Sequence, residues 1–323
     1  MMKKKRNKKF ILDRTEDLSK VDEIKKHLAY IKSKRFYLIN QTVNKESVSK
    51  KYNVSICAIF KNEELYLKEW IEFNKIAGVE HFYLYNNNST DNYLAVLAPY
   101  IEEGLVTLTQ WPKNQAQIEC YNTCIKNFKN ESKWIGFIDI DEFVVPIDME
   151  NIYEFLKPFE NKRGSVKIYW RMFGTSGLMN RDPNSLVTES FTVCWPKYYS
   201  VGKCFYNTSF DYDENYISNK LMHHELWTKY KGINMPPVNA FDKVAYGLIN
   251  TVKSNQHPIQ INHYFTKSYS EYALKKSKGD VFFINNPHDE EYFYLHEQEN
   301  TATDYSAYKF LIKLKLAMKK ETK

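Results

Sequence analysis

From Val54 onward, short apolar runs alternate with longer stretches in which apolar side chains recur every three or four residues. Val54–Phe60 is a run with β-branched residues and reads as a buried strand. Glu64–Ala77 carries Leu67, Trp70, Ile71 and Ala77 along one broad side, which predicts a helix, and Gly78 stands where its stop is expected. His81–Tyr85 reads as a second strand, followed by the polar loop Asn86-Asn87-Asn88-Ser89-Thr90-Asp91. Leu94–Ile101 is predicted helical and Leu105–Thr109 a third strand. Asn114 is placed to cap a helix whose Ile118, Tyr121, Ile125 and Phe128 keep helical spacing. Residues 134–143 then read as an apolar strand ending in Asp139 and Asp141.

Strands alternating with helices at this spacing predict an α/β fold, with a mostly parallel sheet, right-handed crossovers and helices on both faces. Ligands in such sheets bind beyond the carboxyl ends of the strands. The loops Lys61-Asn62-Glu63, Asn86–Asp91 and Asp139–Glu142 all fall there. The second half is less regular. Ser165–Trp170, Val201–Tyr206 and Ile259–Phe265 read as strands, Tyr269–Lys276 and Tyr305–Met318 as helices, and Phe173–Gly177 as a flexible loop. Before Val54 the chain is basic, with a helix near Leu18–Lys34 and no strong core pattern. No Gly-x-Gly-x-x-Gly or Gly-x4-Gly-Lys-Ser/Thr sequence occurs, which leaves dinucleotide and P-loop readings unsupported.

On a strand, Asp139 and Asp141 would point to the same face and Ile140 into the core. Two neighbouring carboxylates need a positive charge between them. A hard divalent cation with positions open to phosphate oxygens suits that need. Charge bears on the partner. The chain is +7 overall, but residues 1–9 hold six basic side chains, and residues 309–323 hold six lysines and one acid. Without these tails 34 basic residues face 38 acidic ones, a body of net −4 that argues against a nucleic-acid partner. The tails are expected to meet solvent or an anionic membrane surface. Five cysteines (Cys57, Cys120, Cys124, Cys194 and Cys204) without paired spacing predict buried, reduced thiols.

Several pieces now stand in order: Lys61-Asn62-Glu63-Glu64, Glu69-Trp70-Ile71-Glu72-Phe73, the stretch from Gly78 to Asp91, Phe137-Ile138-Asp139-Ile140-Asp141-Glu142-Phe143, Phe173-Gly174-Thr175-Ser176-Gly177 and His263-Tyr264-Phe265-Thr266-Lys267-Ser268. Over roughly residues 54–280 this set resembles glycosyltransferase family 92. The resemblance implies a GT-A fold, a UDP-sugar donor with galactose suggested, and inversion at the anomeric carbon. It also implies Mn2+ or Mg2+ held by Asp139, Asp141 and His263, with Asp139 nearer the ribose and Asp141 the direct ligand. Lys267 would reach a phosphate, and Asn62, Glu63 and Asp91 would hold uracil and ribose. On this reading residues 1–50 form a leader and 51–285 a catalytic domain, with a nucleotide half (51–145) and an acceptor half (146–285). Residues 286–323 form a C-terminal segment with a basic helix.

An inverting transfer needs a general base for the acceptor hydroxyl. Glu225, in His223-His224-Glu225-Leu226-Trp227, is the candidate, with Asp211 and Asp213 as rivals. The acceptor class expected is a cell-surface polysaccharide or lipooligosaccharide, and the expected setting is the cytoplasm, peripheral on the inner face of the plasma membrane. Paired aspartates also serve metal-dependent phosphohydrolases and nucleotidyltransferases, and a non-catalytic glycan- or membrane-binding protein is a third class.

Overall fold

The computed structural model describes residues 20–38, 49–216, 224–247, 256–277 and 288–319. Helix α1 (Lys20–Leu38) precedes the regular alternation of β1 (Tyr52–Phe60), α2 (Glu64–Ile76), β2 (His81–Asn86), α3 (Tyr93–Glu102), β3 (Val106–Gln110), α4 (Gln117–Phe128) and β4 (Ser132–Phe137). Helix α4 starts three residues beyond Asn114, with Ala116 at its cap, so Asn114 is not the cap residue. The Trp111 indole donates to Ala116 O at 3.2 Å and fixes that start from outside the helix.

β1 shows why the first run is apolar throughout. Val54, Ile56, Ala58 and Phe60 pack with Leu67, Trp70, Ile71 and Phe73 of α2. Cys57 and Ile59 face the other way, onto Cys120, Tyr121, Cys124 and Ile125 of α4. A strand covered on both sides has no polar face to display. All five cysteines are buried and free.

The second half adds β5 (Glu142–Pro146), α5 (Ile152–Leu156), β6 (Ser165–Met172), α6 (Val187–Ser190), β7 (Val193–Cys194) and β8 (Tyr199–Asn207). A small sheet of β9 (Asp211–Tyr212), β10 (Thr228–Tyr230) and β11 (Ile233–Met235) follows, then β12 (Ile259–His263), α7 (Tyr269–Ser277), α8 (Glu290–Gln298), β13 (Ala302–Thr303) and α9 (Leu311–Lys319). The main sheet has the order β3-β2-β1-β4-β8-β6-β12-β5. Strands β1–β4, β6 and β12 run one way, and β8 and β5 are reversed. Six carboxyl ends therefore share one edge, and the reversed strands bring their amino ends, Tyr199 and Glu142, to it. The C-terminal segment packs into the same core through Tyr292, Phe293, Phe310 and Leu314.

Two glycines hold close approaches. Gly78 ends the α2 turn at φ +105°, and a Cβ there would lie 2.7 Å from Asn151 Cβ. At Gly202 a Cβ would fall 1.9 Å from the Ile168 carbonyl oxygen, beside the register shift at Tyr169 and Trp170. Because that obstacle is backbone, Gly202→Ala must part β8 from β6. We expect a loss of about 2–3 kcal/mol by denaturant unfolding, the upper end for overpacking; an unchanged midpoint would contradict the packing described.

Candidate active site

The two aspartates do not lie on a strand. β4 ends at Phe137, and Asp139–Asp141 form a turn into β5 that closes through Glu142 N donating to Asp139 O at 3.0 Å. The indole of Trp70 donates to Asp139 O (3.0 Å) and Glu142 O (2.8 Å), and Tyr264 N donates to Asp141 O (2.9 Å). Helix α2 and the end of β12 thus pin the turn on two sides. Strand alternation does not apply here, so the expected shared face is replaced by two separate settings. Ile140 is buried in the main core, as expected.

Asp139 Oδ1 accepts from Gln117 Nε2 and Tyr121 OH, both at 3.1 Å, and Oδ2 from Lys203 Nζ at 2.7 Å. Lys203 is wholly buried in β8 and lies 3.8 Å from Glu142 Oε2. Burial works against its charge, but Asp139 and Glu142 outweigh it and hold the ammonium above its usual range. Glu142 is also wholly buried. Burial drives its carboxyl well above the usual range, opposed by Lys203 and reinforced by Asp139 and Asp141. Sequence reasoning missed Lys203, although a lysine inside an otherwise apolar strand is a signal that a buried carboxylate awaits it.

Asp141 Oδ2 accepts from Lys275 Nζ at 2.6 Å and lies 3.7 Å from His263 Nε2. Burial opposes its charge, yet Lys275, His263 and Lys267 prevail and hold the carboxyl well below its usual range. His263 is the last residue of β12, packed against the Trp170 ring at 4.5 Å between centroids. Lys267 is buried with its ammonium 4.4 Å from the Tyr66 ring centre, and burial lowers its affinity for a proton while Asp141 partly restores it. Lys275, on α7, is a second cation that sequence reasoning did not assign.

The other two loops meet at the same edge. Asn62 Oδ1 accepts from Thr90 N (2.7 Å), and Asn62 N donates to Ser89 Oγ (2.9 Å). Asp91 Oδ2 accepts from Glu64 N at 2.8 Å, so it caps α2 across the cleft rather than its own helix. Its Oδ1 is buried without a hydrogen-bond partner. Glu63 precedes α2, close enough for its charge to act on Lys267. Asn62, Asn88, Ser176 and Lys267, all in loops of this edge, have left-handed backbone conformations with φ between 51° and 56°. Strain of this kind gathers where side chains must be aimed.

Glu225 sits elsewhere. Its Oε2 is 2.8 Å from Lys26 Nζ of α1, and its Oε1 accepts from Gly247 N at 2.6 Å. Both oxygens are engaged, so the carboxylate can take an acceptor proton only by giving up a buried pair. Of its rivals, Asp213 pairs with Lys229 at 2.5 Å and Asp211 is exposed on β9. His223 lies outside the described residues. Trp170, Trp195 and Trp227 are buried in the packing, not displayed for a sugar.

A family model for glycosyltransferase family 92 matches residues 50–306, most of the chain. The chain belongs to glycosyltransferase family 92. A family 92 protein of Ricinus communis is 30% identical over 148 residues, covering 44% of this chain and 26% of that protein. One from Oryza sativa subsp. japonica is 29% identical over 152 residues, 46% of this chain and 26% of its own length. The matched stretch is thus about a quarter of the length of these family 92 relatives. Among solved structures, S. aureus TarS 1–349 in complex with UDP aligns at TM-score 0.35 and 15% identity, covering 53% of this chain and 54% of that one. GalNAc-T7 with UDP, GalNAc and Mn2+ aligns at 0.39 and 12%, covering 86% and 61%. Scores this low carry nothing about the chemistry of this family 92 chain.

Whether the residues present fit a divalent metal can be judged from the donors. Asp141 Oδ2 and His263 Nε2, a carboxylate oxygen and an imidazole nitrogen 3.7 Å apart, form a pair suited to Mn2+. Asp139 is less available, because Lys203 holds its Oδ2. Among the described residues no group of three or more His, Cys, Asp or Glu side chains is arranged to hold a metal ion. Two protein donors fit an ion whose remaining positions are filled by phosphate oxygens and water. The residues present therefore fit a metal only where other ligands complete its shell.

Proposed function

We propose that the protein is an inverting, metal-dependent glycosyltransferase that moves a hexose, galactose from UDP-galactose, onto a glycan or lipid-linked glycan of the cell surface. It would work in the cytoplasm, at the inner face of the plasma membrane. The observation that carries this reading is the meeting of the Asp139–Glu142 turn with His263, Lys267 and Lys275 at one sheet edge.

Asp141 and His263 would hold Mn2+ or Mg2+, which supplies charge neutralisation at the diphosphate. Lys267 and Lys275 place two ammonium groups beside Asp141, where negative charge gathers on the departing UDP. Asp139, paired with Lys203 and oriented by Gln117 and Tyr121, offers an acceptor to a ribose hydroxyl. The unpartnered Asp91 Oδ1 and the strained Asn62–Glu63 corner offer acceptors to uracil and ribose. Inversion and the galactose donor rest on the family resemblance. Glu225 remains the candidate base only if Lys26 releases it on acceptor binding.

Incubation with Mn2+ and a panel of UDP-, GDP- and nucleotide-free sugar phosphates is expected to release UDP from UDP-sugars alone, fastest from UDP-galactose. Phosphate release from many esters would overturn the reading in favour of a phosphohydrolase.

A further inference from the structure

Helix α1 turns several aliphatic side chains away from the body of the protein. It buries Lys26, Ser33 and Phe36 and exposes Val21, Ile24, Leu28, Ile31 and Leu38, each by more than half. Steps of three, four, three and seven residues set these five on one stripe along the helix, with Arg35 in the gap between Ile31 and Leu38. Every other exposed side chain of α1 is basic: Lys20, Lys25, His27, Lys32, Lys34 and Arg35. Its two acids, Asp22 and Glu23, are partly buried and paired with Lys25 and Lys26.

The helix cannot roll the stripe inward without losing its anchors. Lys26 is almost wholly buried against Glu225, the Tyr37 hydroxyl donates to Pro236 O, and Arg163 Nη1 donates to Phe36 O at 3.2 Å. Phe36 packs edge-on to Tyr230 at 5.2 Å. An apolar stripe held outward needs a cover. The surrounding charges select it. A second copy would set lysines against lysines along both flanks, as in a mismatched helical pair. A surface of acidic headgroups over an apolar interior matches both the stripe and its basic border. Among the described residues no helix is long and apolar enough to cross a membrane, so the contact is one of lying on the surface.

We infer that α1 is a docking helix that rests flat on an anionic lipid bilayer, with Val21, Ile24, Leu28, Ile31 and Leu38 in the headgroup–acyl boundary and its lysines on the phosphates. The inference uses no residue of the donor site, so its failure leaves the proposed activity standing, and the converse also holds.

The test is flotation of the full chain with vesicles of phosphatidylcholine alone or of phosphatidylcholine with phosphatidylglycerol. The wild type should float with the anionic vesicles only, and less at high salt. Leu28→Glu with Ile31→Glu should weaken that binding by roughly ten-fold or more, because two carboxylates enter the apolar stripe. Lys25→Glu with Lys32→Glu should abolish the preference for anionic lipid. Both pairs alter exposed positions, and their circular dichroism and urea unfolding midpoints should match the wild type, which reports folding. Wild-type chain that ignores the vesicles, or both variants floating like the wild type, would overturn the inference. So would light scattering that shows a wild-type dimer split by Leu28→Glu with Ile31→Glu, since the stripe would then cover itself.

Discussion

Asp141→Asn is expected to lower turnover of a UDP-sugar by about 10²–10³-fold, the range seen when one preorganised electrostatic contact to the reacting centre is lost. The substitution keeps the shape of the side chain, and the backbone bond from Tyr264 N to Asp141 O does not involve the carboxylate. The folded yield should therefore survive. Asp141 is the sharper probe of the two aspartates because of its neighbours. It stands with His263, Lys267 and Lys275, whereas Asp139 is already neutralised by Lys203. Steady-state UDP release with and without added Mn2+ measures the effect, and a variant with wild-type turnover would remove Asp141 from the site.

Lys203→Met should produce the largest loss of stability, about 3–5 kcal/mol, by leaving buried charge without its partner. Methionine fills the volume but offers Asp139 and Glu142 no cation. The pH dependence gives the sign. In the wild type the folded pKa of Lys203 is raised, so its contribution is present below the unfolded value of about 10.4 and is lost as pH rises through the folded one. In the variant Glu142, already raised in the wild type by burial, must take up a proton to remain inside. The deficit should then be largest where the wild-type Glu142 is ionised and shrink as pH falls through its raised folded range, where both folded chains hold the glutamate protonated and the unfolded states are alike. Urea unfolding at neutral and acid pH measures both, and Glu142→Gln in the same chain should recover part of the loss. An equal deficit at all pH values would mean that lost packing, not charge, is responsible.

The first half of the chain is the legible part of the sequence. Its strands are short apolar runs covered on both faces, its helices carry one apolar side, and Gly78 and the Asn86–Asp91 loop punctuate them. That these loops would share an edge followed from chain direction alone. The second half hid its plan because β8 and β5 run against their neighbours, and no local pattern encodes strand direction. The Asp139–Asp141 turn looks like strand in the sequence because Ile138 and Ile140 are buried either way. Asp91 caps α2, a partner 27 residues away in sequence, which no local pattern announces. The cations fell out of view for a similar reason: Lys203 and Lys275 reach the aspartates from 64 and 134 residues away. Glu225 drew attention through its histidine neighbours, yet its partner is Lys26, on a helix whose apolar side faces out and so gave no core pattern to read.

Lys275 sets up a competition that bears on the central claim. Its ammonium occupies Asp141 Oδ2 at 2.6 Å, where a cation shared with a diphosphate would sit, and its side chain is exposed enough to move. Metal and nucleotide should then bind together or weakly. The direct measurement is calorimetric titration of UDP into the wild type and Asp141→Asn, each with and without Mn2+. The account predicts that Mn2+ tightens UDP binding to the wild type by roughly ten-fold or more, the coupling expected of a shared ion, and that Asp141→Asn abolishes this gain. Equal UDP affinity with and without Mn2+ in the wild type, or an undiminished gain in the variant, would contradict it.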